Sequence, residues 1–254
     1  MRLFKNNGKG AQAPKAPKTW YKPAARYYNV SALPFQAEHT LIAGATGCGK
    51  STFLHSIIQA FLVNYAPCEA QIVLLDPKEV ELARYKALPH CKAYATDEQD
   101  ILAELNKAID EMHARYKQMS FQGIEQWQGA KLYIVIEELS DLMACPLARQ
   151  IKVAIQRLAQ KGRAAGLSLI VCTQAPARKI LPAEITLNLT ARFALACESA
   201  IESRQIIGQP GAELLPDHGQ AIYKYRREKI KVALPFVQKQ DVLPLIEWWT
   251  KQAV

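Results

Sequence analysis

The chain has 254 residues, half of them apolar and 22% charged, enough to build one folded core and too apolar for a disordered chain. Its longest apolar runs, such as residues 169–172, fall far short of the roughly 18 residues a membrane span needs, so no intrinsic membrane span is expected. Its six cysteines are scattered with no CxxC, which excludes a zinc ribbon, argues against a disulfide scaffold and points to a cytoplasmic location.

The net charge of +9 sits mostly in one tail. Seven of the 32 basic residues (Arg2, Lys5, Lys9, Lys15, Lys18, Lys22 and Arg26) fall within residues 1–37, which hold no acid. Residues 1–29 therefore read as a basic arm whose composition suggests disorder. Such an arm either binds phosphates or an acidic partner, or serves only as a solubilising leader. It lacks the apolar stretch of a secretory signal.

From His39 onward, strands and helices alternate. Residues 39–43 form a short apolar strand that ends in Gly44. Phe53, Leu54, Ile57, Ile58, Phe61 and Leu62 then recur at helical spacing. A strand follows over 71–76, and a helix face through Ile101, Leu105, Ile109, Met112 and Tyr116. The next pair is a strand over 132–137 and a helix marked by Leu147, Ile151, Ile155 and Leu158. A last strand spans 168–173. Continuous apolar strands separated by helices predict an α/β fold: a mostly parallel sheet with helices on both faces. Ligands of such sheets bind beyond the carboxyl ends of the strands.

The chemistry gathers at those ends. Gly44, Ala45, Thr46, Gly47, Cys48, Gly49, Lys50 and Ser51 spell GxxxxGK[ST] between a strand and a helix. This is the P-loop context, in which backbone N–H groups and a helix N-terminus cradle phosphates. Lys50 is expected on the β- and γ-phosphates of ATP and the Ser51 hydroxyl on Mg²⁺, with Thr52 next in the cradle. Cys48 reads as a small filler rather than a reactive thiol. Glu137 and Glu138 end the third strand; Glu137 is assigned to the metal and Glu138 to activating the attacking water. Glu137 stands where Asp is usual. Gln174 ends the next strand, placed to sense the γ-phosphate. The segment Arg157–Gly166 is basic and closes a helix. Asn106-Lys107 with Asp110 lies inside an amphipathic helix and reads as helix surface, not as a guanine-reading NKxD motif.

Six collinear motifs resemble the motor domain of the FtsK/SpoIIIE DNA translocases, within the FtsK–HerA superfamily: the P-loop; Asp76-Pro-Lys78 with Glu81-Leu82 and Leu88-Pro-His90; Glu111 to Tyr116; Glu137 to Leu142; Arg157 to Gly166 followed by Thr173-Gln174; and Ser203-Arg204 with Gly211 to Leu215. The resemblance implies a RecA-like P-loop NTPase core over 30–235, followed by a C-terminal helical extension over 236–254. It implies an ATP hydrolase coupled to translocation of double-stranded DNA, working as a hexameric ring of identical subunits with ATP at the interfaces. Arg163 is then the residue that reaches the neighbour's γ-phosphate, with Arg115 and Arg204 as secondary candidates. The loop after Gln174 faces the pore. The family commonly has Arg after that Gln; here Ala175 follows, and Arg178 and Lys179 are expected to supply the DNA-phosphate contact. Membrane helices, a second RecA-like domain and a winged-helix reader are not evident, so the expectation is a bare motor of a conjugative element, plasmid or phage, with an accessory protein for targeting. The alternatives are a virion genome-packaging ATPase of the same superfamily and a weakly hydrolysing nucleotide-binding assembly protein.

Overall fold

A computed structural model of the chain describes residues 33–36 and 39–252; the basic arm lies outside them. The elements run α1 (Leu33–Gln36), β1 (Thr40–Ala43), α2 (Lys50–Asn64), β2 (Ala70–Leu75), β3 (Cys91–Ala95), α3 (Glu98–Gln122), β4 (Lys131–Ile136), α4 (Leu139–Ala144), α5 (Ala148–Lys161), β5 (Leu167–Thr173), α6 (Ala183–Thr186), β6 (Ala191–Ala194), α7 (Ala200–Ile207), β7 (Gln220–Tyr225), β8 (Glu228–Ala233) and α8 (Leu243–Gln252). All four strands expected from the sequence are present. They belong to one eight-stranded sheet of order β3-β2-β4-β5-β1-β6-β7-β8. Strands β1 to β6 pair in parallel, and the β7–β8 hairpin adds an antiparallel edge.

Side-chain alternation along each strand feeds two cores, one per face. In β4, Tyr133 and Val135 join Phe53 and Phe61 of α2 and Trp249 of α8. Leu132, Ile134 and Ile136 face the other way, against Leu105 of α3, Leu142 of α4 and Ile155 of α5. Helix α3 starts on Asp97, whose side chain accepts from the N–H groups of Gln99 and Asp100, the usual arrangement at an acidic N-cap. The C-terminal α8 packs into the first core. Trp249 Nε1–H donates to the Leu62 carbonyl at 2.9 Å, and the ring meets His90 edge-on at 4.4 Å between centroids. No helix among the described residues is long and apolar enough to cross a membrane.

The strands that periodicity does not reveal are β3, β6, β7 and β8. Edge strand β3 (CKAYA) is mostly half-exposed, and β6 (ARFA) is four residues long. In β8 only Val232 is fully buried, so its Lys and Glu side chains stay in water. Edge strands carry such charge because it blunts pairing with other chains.

Two buried histidines make stability sensitive to pH. His39 Nδ1 accepts the Leu169 N–H at 3.0 Å. Burial, aided by the charge of Arg163, pushes its pKa down to about 4. His90 Nε2 pairs with the Tyr65 carbonyl at 2.9 Å, and burial takes it to about 4 as well. Both rings stay neutral in the fold but titrate near 6.5 when the chain unfolds. Their stabilising contribution is thus complete above pH 6.5 and disappears as pH falls toward 4, by roughly 3 kcal/mol each. Thermal melts from pH 7 to 4 should show this drop, and His90→Gln should make it shallower. An unchanged slope in that variant would remove His90 from the account.

Candidate active site

Strand β1 delivers the glycine-rich loop, and α2 begins at Lys50. Gly49 occupies the N-cap with φ +93°, and no side chain caps the helix. The first-turn N–H groups and the positive end of the helix dipole therefore face a prospective anion. The loop's start is pinned. The Ala45 N–H donates to the Ala196 carbonyl at 2.8 Å. A Cβ on Gly44 would lie 2.8 Å from Leu195 Cβ and 3.0 Å from the Ala196 oxygen, so only glycine fits against the exit of β6. Lys50 Nζ donates to the carbonyls of Gly44 and Ala45 at 2.7 and 2.8 Å. Cys48 is buried, and burial raises its pKa. That supports the small-filler reading.

A cavity of about 220 Å³ opens at this point, with Lys50, Ser51, Glu137 and Gln174 on its walls beside Gly47, Gly49 and Thr52. Three segments distant in sequence, the glycine-rich loop with the start of α2, the end of β4 and the end of β5, thus meet at one cavity. Cys172 also lines it; as one apolar letter inside a strand it carried no signal of that role. Thr46 Oγ1–H donates to Gln174 Oε1 at 2.6 Å, joining the loop to the end of β5.

The two glutamates differ in surroundings. Glu137 is 8% exposed and its Oε2 has no partner. Burial pushes its pKa up to about 7; Lys78 pulls it down, while Glu138 and Asp76 push it further up. A hydroxyl and an orphaned carboxylate oxygen on one cavity wall are the hard oxygen donors that Mg²⁺ takes, so Ser51 and Glu137 fit that ion. Glu138 accepts from the Ser140 N–H and hydroxyl and, at 3.2 Å to each oxygen, from the Gln174 N–H.

The second family motif is bracing. Asp76 Oδ2 accepts the Leu82 N–H at 2.9 Å. Glu81 meets His55 Nε2 at 3.0 Å and Lys239 Nζ at 3.1 Å, while His55 Nδ1 pairs with the Tyr85 hydroxyl at 2.8 Å. The His55 bond is the largest cause of a Glu81 pKa lowered to about 2. The sequence marked these letters without showing that they tie α2 to the C-terminal segment.

The arginines separate. Arg163 lies exposed in the turn between α5 and β5. Arg204 is exposed on α7. Arg115 is 7% exposed: it pairs with Glu111, donates to the Ala165 and Gly166 carbonyls, and stacks on Trp127 at 4.9 Å. Its guanidinium is committed to these interior partners. Arg178 and Lys179 are exposed on the loop after Gln174, where the Ala177 carbonyl accepts from Ile180 and Leu181 to form a helical turn.

Residues 24–134 match the model of the FtsK/SpoIIIE family. The DNA translocase FtsK of Caldanaerobacter subterraneus subsp. tengcongensis is 35% identical over 223 residues, covering 83% of this chain and 31% of the relative. That of Tropheryma whipplei is 31% identical over 248 residues, covering 89% and 33%. The chain thus spans about a third of the length of these relatives. The conjugation coupling protein TcpA of pCW3, solved with ATPγS, superposes with a TM-score of 0.73 at 21% identity, over 83% of this chain and 64% of that one. The fold is that of a P-loop ATPase.

The contrast between the arginines is open to measurement. Arg115→Ala removes the bonds to Glu111 and to the Ala165 and Gly166 carbonyls and the contact with Trp127, and should cost about 2 kcal/mol, although Glu111 keeps Lys92 and the Gly166 carbonyl keeps the Leu132 N–H. Arg163→Ala, at an exposed turn, should stay within about 1 kcal/mol of the parent. Denaturant midpoints of the two variants should therefore differ clearly. Equal midpoints would return Arg115 to the pool of candidate interface arginines.

Proposed function

This chain carries an FtsK/SpoIIIE-type domain, and on that premise we propose that it is an ATP-driven motor that moves along double-stranded DNA as a ring of identical subunits. The observation that carries the reading is the meeting of Lys50, Ser51, Glu137 and Gln174 around one cavity at the uncapped start of α2. The Lys50 ammonium exchanges its two carbonyl partners for the β- and γ-phosphate oxygens of ATP. Mg²⁺ held by Ser51 and Glu137 would supply further charge neutralisation on the phosphates. Glu138, bonded in this structure to Ser140 and to the Gln174 N–H just off the cavity wall, would exchange Ser140 for the attacking water to take its proton, and Gln174 helps to orient that water. Arg163 completes the site of the next subunit. It precedes β5, whereas Gln174 follows it, and a seven-residue strand is about 23 Å long. Arg163 therefore cannot reach the cavity of its own subunit. Arg178 and Lys179 supply positive charge at the cavity end of the sheet, suited to sequence-independent phosphate contacts.

The decisive assay is ATP turnover with linear duplex, single strand and no DNA. Stimulation by duplex supports the motor. Turnover indifferent to DNA would leave a nucleotide-dependent assembly protein instead. Lys50→Ala should lose ATP binding, while Glu138→Gln should bind ATP and cease hydrolysis. Arg163→Ala should bind ATP and lose turnover by up to roughly 10³-fold, as arginine fingers do. Mixing Arg163→Ala with Lys50→Ala subunits should restore part of the activity, because some intact loops then face intact fingers. No recovery from mixtures shown to co-assemble would rule out action in trans.

A further inference from the structure

The sheet ends in a basic hairpin that the nucleotide site does not use. Tyr225 pairs with Glu228, so Arg226 and Arg227 alone make the turn between β7 and β8. Across residues 218–240 Glu228 is the only acid, against Lys224, Arg226, Arg227, Lys229, Lys231 and Lys239. Register gathers three of these charges. Lys224 stands directly opposite Lys229, and Lys231 follows on the same face about 7 Å further along β8. Like charges directly opposite each other in a sheet are unfavourable. Arg192 of β6 flanks Lys224 on its other side. Burial, then the charges of Arg192 and Lys229, pull the Lys224 pKa down. Lys224 Nζ donates to the Ile207 carbonyl at 2.9 Å and Lys229 Nζ to the Gln209 side chain. Both acceptors are neutral, so neither charge is cancelled. Protection of a sheet edge accounts for lysines on β8. It does not account for Lys224, which lies on the inner strand β7.

The turn is also strained. Arg226 has φ +55°, in the left-handed region that two-residue hairpin turns give to glycine, asparagine or aspartate. An arginine pays a steric cost there through its Cβ, and backbone strain of this kind gathers at functional positions. The Arg226 guanidinium lies over the Tyr225 ring at 5.2 Å, and Arg227 beside it is exposed. Binding to a protein or a membrane calls for an apolar anchor. The one large apolar side chain that the hairpin exposes, Ile230, is on the face opposite the lysines. Cations in a row without such an anchor suit a phosphate backbone, which is held through charge.

We propose that the β7–β8 hairpin is a second contact surface for the phosphates of duplex DNA, formed by Arg226, Arg227, Lys229 and Lys231 and separate from Arg178 and Lys179. The assignment rests on the motor reading above. Tyr225 pairs with Ala191, the first residue of β6, so the turn lies at the opposite ends of the strands from Gln174 and the loop that follows it. A six-residue strand, about 20 Å, separates the two surfaces.

Equilibrium binding of the full chain to linear duplex over a range of salt tests it. Arg227→Gln/Lys229→Gln/Lys231→Gln removes up to three phosphate contacts. The slope of log affinity against log salt should become shallower by about 2 to 3, while ATP turnover without DNA stays at the parent rate. Arg226→Gly separates charge from folding. Glycine relieves the turn, so the melting midpoint should hold or rise while duplex affinity falls severalfold, a combination that unfolding cannot produce. Lys107→Gln/Lys117→Gln, exposed on α3, also removes positive charge and should keep a slope near the parent's. A triple variant with the parent's slope, or with no greater change than Lys107→Gln/Lys117→Gln, overturns the hairpin surface. If Arg178→Gln/Lys179→Gln still weakens duplex binding in that case, the motor reading stands without it. A parent that binds no duplex overturns the motor reading, and the hairpin surface with it.

Discussion

The uncapped N-terminus of α2 is the constraint on which the rest of the structure depends. Helix N–H groups that no side chain satisfies require water or an anion, and here they point from a helix that cannot shift. Twelve of its fifteen residues are buried, so it is held on nearly all sides. Phe53 stacks edge-on against Phe193 of β6 at 4.9 Å. Leu62 receives Trp249 from α8, and His55 is locked between Tyr85 and Glu81. The first link ties the helix to the sheet, the second to the C-terminal helix, and the third, through Glu81 and Lys239, to the segment that leads there. The residues after β8 thus form part of the frame that fixes where a phosphate can sit.

Parallel strand direction then decides which residues can act together. Gly44, Glu137 and Gln174 each follow the carboxyl end of β1, β4 or β5, so one edge of the sheet collects them all. Residues preceding those strands collect at the far edge. His39 precedes β1 and Arg163 precedes β5, and the charge of Arg163 is felt by His39. The same topology that builds the phosphate site within one subunit excludes this arginine from it. A role for Arg163 in catalysis therefore requires a second copy of the chain.

The central strands and the loop were legible because their signals are local. Apolar runs with helical spacing between them mark a covered parallel sheet, and GxxxxGK[ST] has few other uses. Strands β3 and β6 to β8 were not legible, because edge strands need only one buried face and short ones need little periodicity. Among site residues, Lys50, Ser51, Glu137 and Gln174 could be read from their places at strand ends. The burial of Arg115 could not: at helical spacing it resembles any surface arginine, and only the fold brings the carbonyls of Ala165 and Gly166 and the Trp127 ring around it. Cys172 was hidden for a similar reason. It reaches the cavity wall through tertiary placement, with no pattern around it.

Two adjacent glutamates at one strand end would have equal claims on the chemistry if the backbone did not separate them. Consecutive residues of an extended chain point to opposite sides. Glu137 takes the cavity side, where its longer side chain reaches the wall that holds Ser51 and leaves one oxygen buried without a partner. A buried, unpaired carboxylate favours its neutral form, and a nearby cation reverses that preference. Glu138 does not line the cavity; it is occupied by Ser140 and by the N–H of Gln174, which does. Gln174 in turn is held from both directions, its side chain by Thr46 of the loop and its backbone by Glu138. The acid with the free oxygen is the one left open to a cation, and the acid bound to Ser140 and Gln174 already has its partners.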